Sequence, residues 1–126
     1  MHEEVREWLE KAEGDFNTAM RESAVTDAPN YDAVFFHAQQ CVEKLMKGVL
    51  AMHSVTPPHT HDLAAISSMV TAVAADWEWP QAELDWLTRG AVQYRYPLRA
   101  ATTADGERSV EMMARLREAL LPLFGS

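Results

Sequence analysis

The sequence predicts an all-α protein, an up-and-down antiparallel bundle of four to five helices. Three observations carry that prediction. Apolar residues recur at spacings of three and four in successive segments, the mark of one buried helix face. No segment shows sustained period-two alternation, and no hairpin turn separates two β-branched runs. The breaks between segments are short, so consecutive helices pack as antiparallel neighbours.

The first helix is expected over about residues 3–23. Val5, Trp8, Leu9, Ala12, Phe16, Ala19 and Met20 form its apolar face, and Glu3, Glu4 and Glu7 favour its positive end. In "AVTDAPN", Pro29 restricts Ala28 to extended conformations, and Asn30 is placed to cap the next helix. The second helix, about 31–53, carries a wide apolar stripe of Tyr31, Val34, Phe35, Ala38, Cys41, Val42, Leu45, Val49 and Leu50. At over five turns it should be the spine of the fold, and Pro57 and Pro58 end it. A third helix begins near "THDL", with Thr60 as cap and Asp62 in the first turn. Leu63, Ile66, Met69, Val70, Val73 and Ala74 point inward, leaving Ser67, Ser68 and Thr71 outward. "DWEWP" closes that unit. The fourth helix, about 81–95, uses Ala82, Leu84, Leu87, Ala91 and Tyr94, and Pro97 stops it or kinks it. A loop containing Gly106 leads to the last helix, about 106–121, with Val110, Met113, Leu116, Ala119, Leu120 and Leu121 inward.

The 126 residues suit a single domain, 1–126, large enough for a real core without disulfide or metal. Cys41 is the only cysteine, so no internal disulfide forms. The chain opens on an acidic helix, and no apolar run approaches the roughly 20 residues of a membrane span. A cytoplasmic protein with no membrane partner is expected. The net charge is −8 and uneven. Residues 1–88 hold 5 Lys/Arg against 15 Asp/Glu, and residues 89–126 hold 6 Arg against 4 Asp/Glu. Such acidity opposes duplex DNA, whose affinity comes from phosphate neutralisation. A local arginine cluster can still hold a nucleotide or a short RNA. The plainer alternative is that four of the six arginines pair with acids or cover apolar surface.

No Gly-rich phosphate loop, paired cysteines or His-Glu-x-x-His segment occurs. His53, His59, His61 and Asp62 are near in sequence but lack metal-ligand spacing, so neither metal nor cofactor is expected. Cys41 lies in the apolar stripe, a poor setting for a nucleophile, and no catalytic residue is assigned.

The segment "FFHAQQCVEKLMKG" raises the main functional question. His37, Gln40, Lys44 and Lys47 share a helix face opposite the apolar stripe, with Gln39 and Glu43 beside them. That face suits solvent, a dimer interface crossed by glutamines, or a cleft whose lysines hold phosphate. "QYRYPLR", 93–99, is equally open. Tyrosine beside Arg95 and Arg99 suits stacking with phosphate binding. It also suits a structural corner, with Tyr94 packed inward and Arg95 reaching Asp15 or Glu43.

Four stretches together, "AEGDFNTA" (12–19), "FFHAQQCVEKLMK" (35–47), "THDL" (60–63) and "YRYP" (94–97), resemble the HEPN domain family. The family is named for higher eukaryotes and prokaryotes nucleotide-binding. The resemblance spans about residues 5–120 and implies a helical bundle, commonly a homodimer. Many bacterial members stand beside a minimal nucleotidyltransferase. Some of those pairs look like toxin–antitoxin systems whose helical member is a ribonuclease. The ribonuclease signature is an Arg, four to six residues, then His. Here no arginine stands five to seven positions before any histidine. The resemblance therefore implies the non-catalytic branch, in which Asp15, Gln40, Glu43, Lys44, His61, Asp62 and Arg95 match recurring polar positions.

The expectation is a dimeric binding or adaptor protein acting with a nucleotidyltransferase and contacting nucleotide. Gln40, Lys44, Lys47, His61, Asp62, Arg95 and Arg99 are the candidate cleft, with Asp15, His37 and Glu43 as a polar network. Arg95, Arg99 and Lys44 would hold phosphate. A ribonuclease toxin using an unusual histidine, or a purely structural subunit, are the alternatives.

Overall fold

The computed structural model describes residues 2–125. Within them the helices are α1 (Glu3–Ser23), α2 (Tyr31–Met52), α3 (Leu63–Val73), α4 (Gln81–Gln93) and α5 (Thr103–Leu120), and a 3-10 turn, Leu121–Phe124, comes after α5. They pack as an all-α bundle with no strand among the described residues.

α2 is the helix against which all the others pack. α1 lies along most of its length, α5 along a second side, and the shorter α3 and α4 cover the rest. Its stripe supplies much of the core: Val34, Phe35, Ala38, Cys41, Val42, Leu45, Met46, Val49 and Leu50 are all buried. Gly48 is a point of close approach, because a Cβ there would stand 3.0 Å from the Phe124 ring and 3.1 Å from Trp8 Cβ. Phe35 packs between Trp86 and Tyr94, with ring centroids 4.8 and 5.2 Å away.

The helix ends are set by local chemistry. Asn30 Oδ1 accepts from Ala33 N–H at 3.0 Å and caps α2. α3 is capped by Asp62, which accepts from Ala64 N–H and Ala65 N–H, and Thr60 instead receives the N–H of Asp62 at 3.1 Å. The carboxylate is the stronger acceptor at a positive helix end, so it displaces the threonine expected there. α5 starts at Thr103, three residues before the glycine that was expected to open it. Thr102 and Asp105 form a reciprocal capping box.

Ala28 departs from the extended form expected before proline, with φ of 52°. Its turn must reverse the chain between α1 and α2, and Glu22 fixes the far side by accepting from Asn30 N–H at 2.8 Å. Three side chains also differ from expectation. Ser67 is buried because it accepts from Trp77 Nε1 at 2.9 Å. Met20 and Ala82 are exposed, each near a helix end where no neighbour covers the stripe. No described helix is long and apolar enough to cross a membrane.

Candidate functional site

The polar face of α2 is divided into two networks, and neither is the open face its spacing suggests. On the α1 side, Asp15 is buried and accepts from His37 Nδ1 at 2.8 Å and Lys44 Nζ at 2.6 Å. On the α3 side, Glu43 is buried and holds Lys47 Nζ at 3.0 Å, Gln39 Nε2 at 3.0 Å and His61 Nδ1 at 3.0 Å. α2 is central, so its polar residues are covered by neighbours and satisfy one another. Burial pushes the Glu43 carboxyl up. Hydrogen bonds from Gln39, Lys47 and His61 outweigh that and hold it below its ordinary range.

Gln39 joins Glu43 to the loop before α3, because its Nε2 also donates to the His61 carbonyl at 3.2 Å. The imidazole of His61 is thereby pinned at Nδ1, while its side chain stays 72% exposed. Carboxylate contact at Nδ1 orients the ring and leaves Nε2 for a ligand.

A small, half-open cleft of about 140 Å³ lies between α2, α4 and this loop. Phe36, Ala91 and Val92 give it apolar walls, and Gln39, Gln40, Thr88, His61 and Arg95 give it polar ones. Arg95 is exposed and makes no ion pair among the described residues, so it does not reach Asp15 or Glu43. Tyr94 does pack inward, edge-on to Phe35, and its hydroxyl donates to Asp105 at 3.2 Å. Asp32 accepts from Ala101 N–H at 2.7 Å and ties the other end of that loop to α2. Between these anchors Tyr96 and Leu98 project into solvent, Leu98 with φ of 69°.

The candidate residues therefore separate. Gln40, His61 and Arg95 line one cleft. Lys44 is engaged by Asp15 and Lys47 by Glu43. Asp62 caps α3, His37 sits with Asp15, and Arg99 is exposed outside the cleft lining. Three of the six C-terminal arginines are employed structurally, one fewer than the plain reading expects. Arg108 lies over Trp86, Arg115 over Trp79, and Arg117 over Phe16 with Glu13 beside it. Sequence reasoning missed Phe36, Thr88, Ala91 and Val92 as cleft residues. The signal was present in part: Phe36 falls outside the apolar stripe of its helix, where an aromatic has no core to enter.

The model of the HEPN domain matches residues 5–122. The chain belongs to the HEPN domain family. Membership supports a nucleotide-binding or ribonuclease-type role in general. No curated protein and no solved structure matches the chain. Cys41 is buried in the core of this HEPN domain, a poor setting for a reactive thiol. Burial, then the negative charges of Asp15 and Glu13, push its thiol up to about 12.

Proposed function

We propose that this HEPN domain is a phosphate-binding module for a nucleotide or a short RNA, working as a homodimeric adaptor beside a nucleotidyltransferase. The observation that carries the binding reading is Arg95. It is the one cation of the cleft rim without a carboxylate partner, and it stands with a carboxylate-oriented His61. A guanidinium donates two parallel hydrogen bonds to a phosphate. Phe36, Ala91 and Val92 supply the apolar surface that a base or ribose needs. Lys44 and Lys47 have no share in this reading, since moving either one would strand a buried carboxylate. Exposed Tyr96 and Leu98 beside the cleft support the self-association part.

Calorimetric titration of the full chain with nucleoside monophosphates and a short oligoribonucleotide tests the proposal. Arg95→Ala should weaken binding at least tenfold and leave unfolding unchanged. Undetectable binding by the unaltered chain, or equal binding by the variant, overturns it. Co-purification of a nucleotidyltransferase from native cells tests the adaptor part.

One observation favours a second reading, RNA cleavage. The cleft brings an arginine and a histidine together although their order and spacing in the chain depart from the family signature. His61 Nε2 would accept the 2′-hydroxyl proton, and Arg95 would neutralise the charge building on phosphorus. Growth arrest on expression, relieved by either His61→Ala or Arg95→Ala, identifies this activity. Unimpaired growth and intact RNA dismiss it.

A further inference from the structure

Gln40 is held in the cleft wall with a fixed orientation, and a chain of hydrogen bonds decides which of its atoms is free. Glu43 Oε1 and the His61 carbonyl are both acceptors. Gln39 must turn its Nε2 toward them, at 3.0 and 3.2 Å. Its Oε1 is then left facing Gln40, which answers with its own Nε2 at 2.9 Å. That same Nε2 lies 3.4 Å from Glu43 Oε1, so both of its hydrogens are directed inward. Gln40 Oε1 is the atom left over, and it makes no hydrogen bond among the described residues. The neighbouring Thr88 hydroxyl adds no donor. It donates to the Leu84 carbonyl at 2.9 Å and accepts from Leu63 N–H at 3.1 Å. The inner wall thus offers an acceptor and no free donor. The donor of the site, Arg95, belongs to the phosphate.

We propose that the cleft selects nucleotides whose base carries an amino group at the purine 6-position or the pyrimidine 4-position, adenine before all, with Gln40 Oε1 accepting from that amine. This inference rests on the phosphate-binding reading and adds the base to it. An adenine lying on Phe36, Ala91 and Val92 presents its 6-amino group to Gln40. A 6-oxo base sets an oxygen against the Gln40 oxygen, and neither has a proton to share. A site built to receive a donor rejects the analogue that lacks one.

The test uses matched pairs that exchange one amino group for an oxygen: AMP against IMP, and CMP against UMP. Calorimetric titration of the full chain should show AMP about tenfold tighter than IMP, and CMP tighter than UMP in the same sense. Gln40→Met keeps the length of the side chain, lacks the carbonyl, and should erase the difference between AMP and IMP. Should that variant not fold, the two pairs on the unaltered chain still decide. Equal affinity within both pairs, with Arg95→Ala still weakening all four ligands, overturns the role of Gln40 and leaves phosphate binding standing. Failure of all four ligands to bind overturns both proposals. A preference for AMP that persists in Gln40→Met also overturns the role of Gln40.

Discussion

Replacing Glu43 by alanine should destabilise the fold more than loss of any exposed charge. The carboxylate lies in the interior of the bundle, and Lys47 Nζ sits 3.0 Å from it with side-chain exposures of 7% and 4%. Lys47 makes no other hydrogen bond among the described residues. Glu43→Ala therefore leaves a buried ammonium without a counter-charge and removes the acceptor shared by Gln39, Gln40 and His61. Breaking one side of a buried pair costs about 3–5 kcal/mol. A domain of this size has a total stability of roughly 5–15 kcal/mol, so the loss is a large fraction of it. Urea unfolding monitored by far-ultraviolet circular dichroism at pH 7 measures the change through the midpoint, with the slope unaltered. Adding Lys47→Met to Glu43→Ala should recover most of the loss, because the stranded charge is gone. A loss below about 1 kcal/mol for Glu43→Ala would refute the reasoning, since that is the size expected of an exposed pair.

The same carboxylate sets an acid limit. Its folded pKa lies below the ordinary 4.5, so it contributes stability above that value. That contribution declines as the pH falls from 4.5 through the folded pKa, and it is gone below the folded pKa, where the proton is bound in both states. Unfolding curves measured between pH 6 and pH 3 should therefore fall more steeply for the unaltered chain than for Glu43→Gln. Parallel curves would show that Glu43 is not the group responsible.

Packing, capping and burial each set a further outcome. Gly90→Ala places a Cβ 2.3 Å from Phe35 Cζ, and Trp86 and Tyr94 flank that ring, so the variant should lose about 2 kcal/mol despite the better helix propensity of alanine. Equal or greater urea resistance would mean that Phe35 has room to move. Asp105→Ala removes the capping box of α5 and the acceptor of the Tyr94 hydroxyl, an expected cost of about 1–2 kcal/mol on thermal unfolding. Cys41, buried and with its thiol pushed up to about 12, should resist a disulfide reagent in the native protein and react fully in urea. Rapid labelling of the native protein would contradict that burial.

The helices were legible in the sequence because period and punctuation agree over long segments. α2 and α1 match their expected ranges to within a residue, and the apolar stripe from Val34 to Leu50 is the observed core. What escaped was local competition. Asp62 and Thr60 are both sound caps, and only the path of the loop decides that the carboxylate meets Ala64 N–H. Thr102 with Asp105 is a readable capping box, yet Gly106 drew the expected start of α5 past it. That glycine is there for space: a Cβ would stand 2.3 Å from the Tyr31 ring.

The site was legible as a set of residue types and not as an arrangement. Spacing along α2 correctly places His37, Gln40, Lys44 and Lys47 on one side of a helix. It says nothing about which helix covers which part of that side. Asp15 arrives from α1 and His61 from the loop before α3, and these two residues decide which cations are spent. Lys44 and Lys47, the phosphate ligands suggested by charge alone, are spent on buried carboxylates. Arg95, to which sequence offered an acid partner, has none among the described residues. Carboxylates hold Lys44, Lys47, Arg115 and Arg117. Arg95 is distinguished by its place, since it shares the lining of a cleft with an imidazole held by Glu43. The place to look for a ligand is where the internal pairing stops.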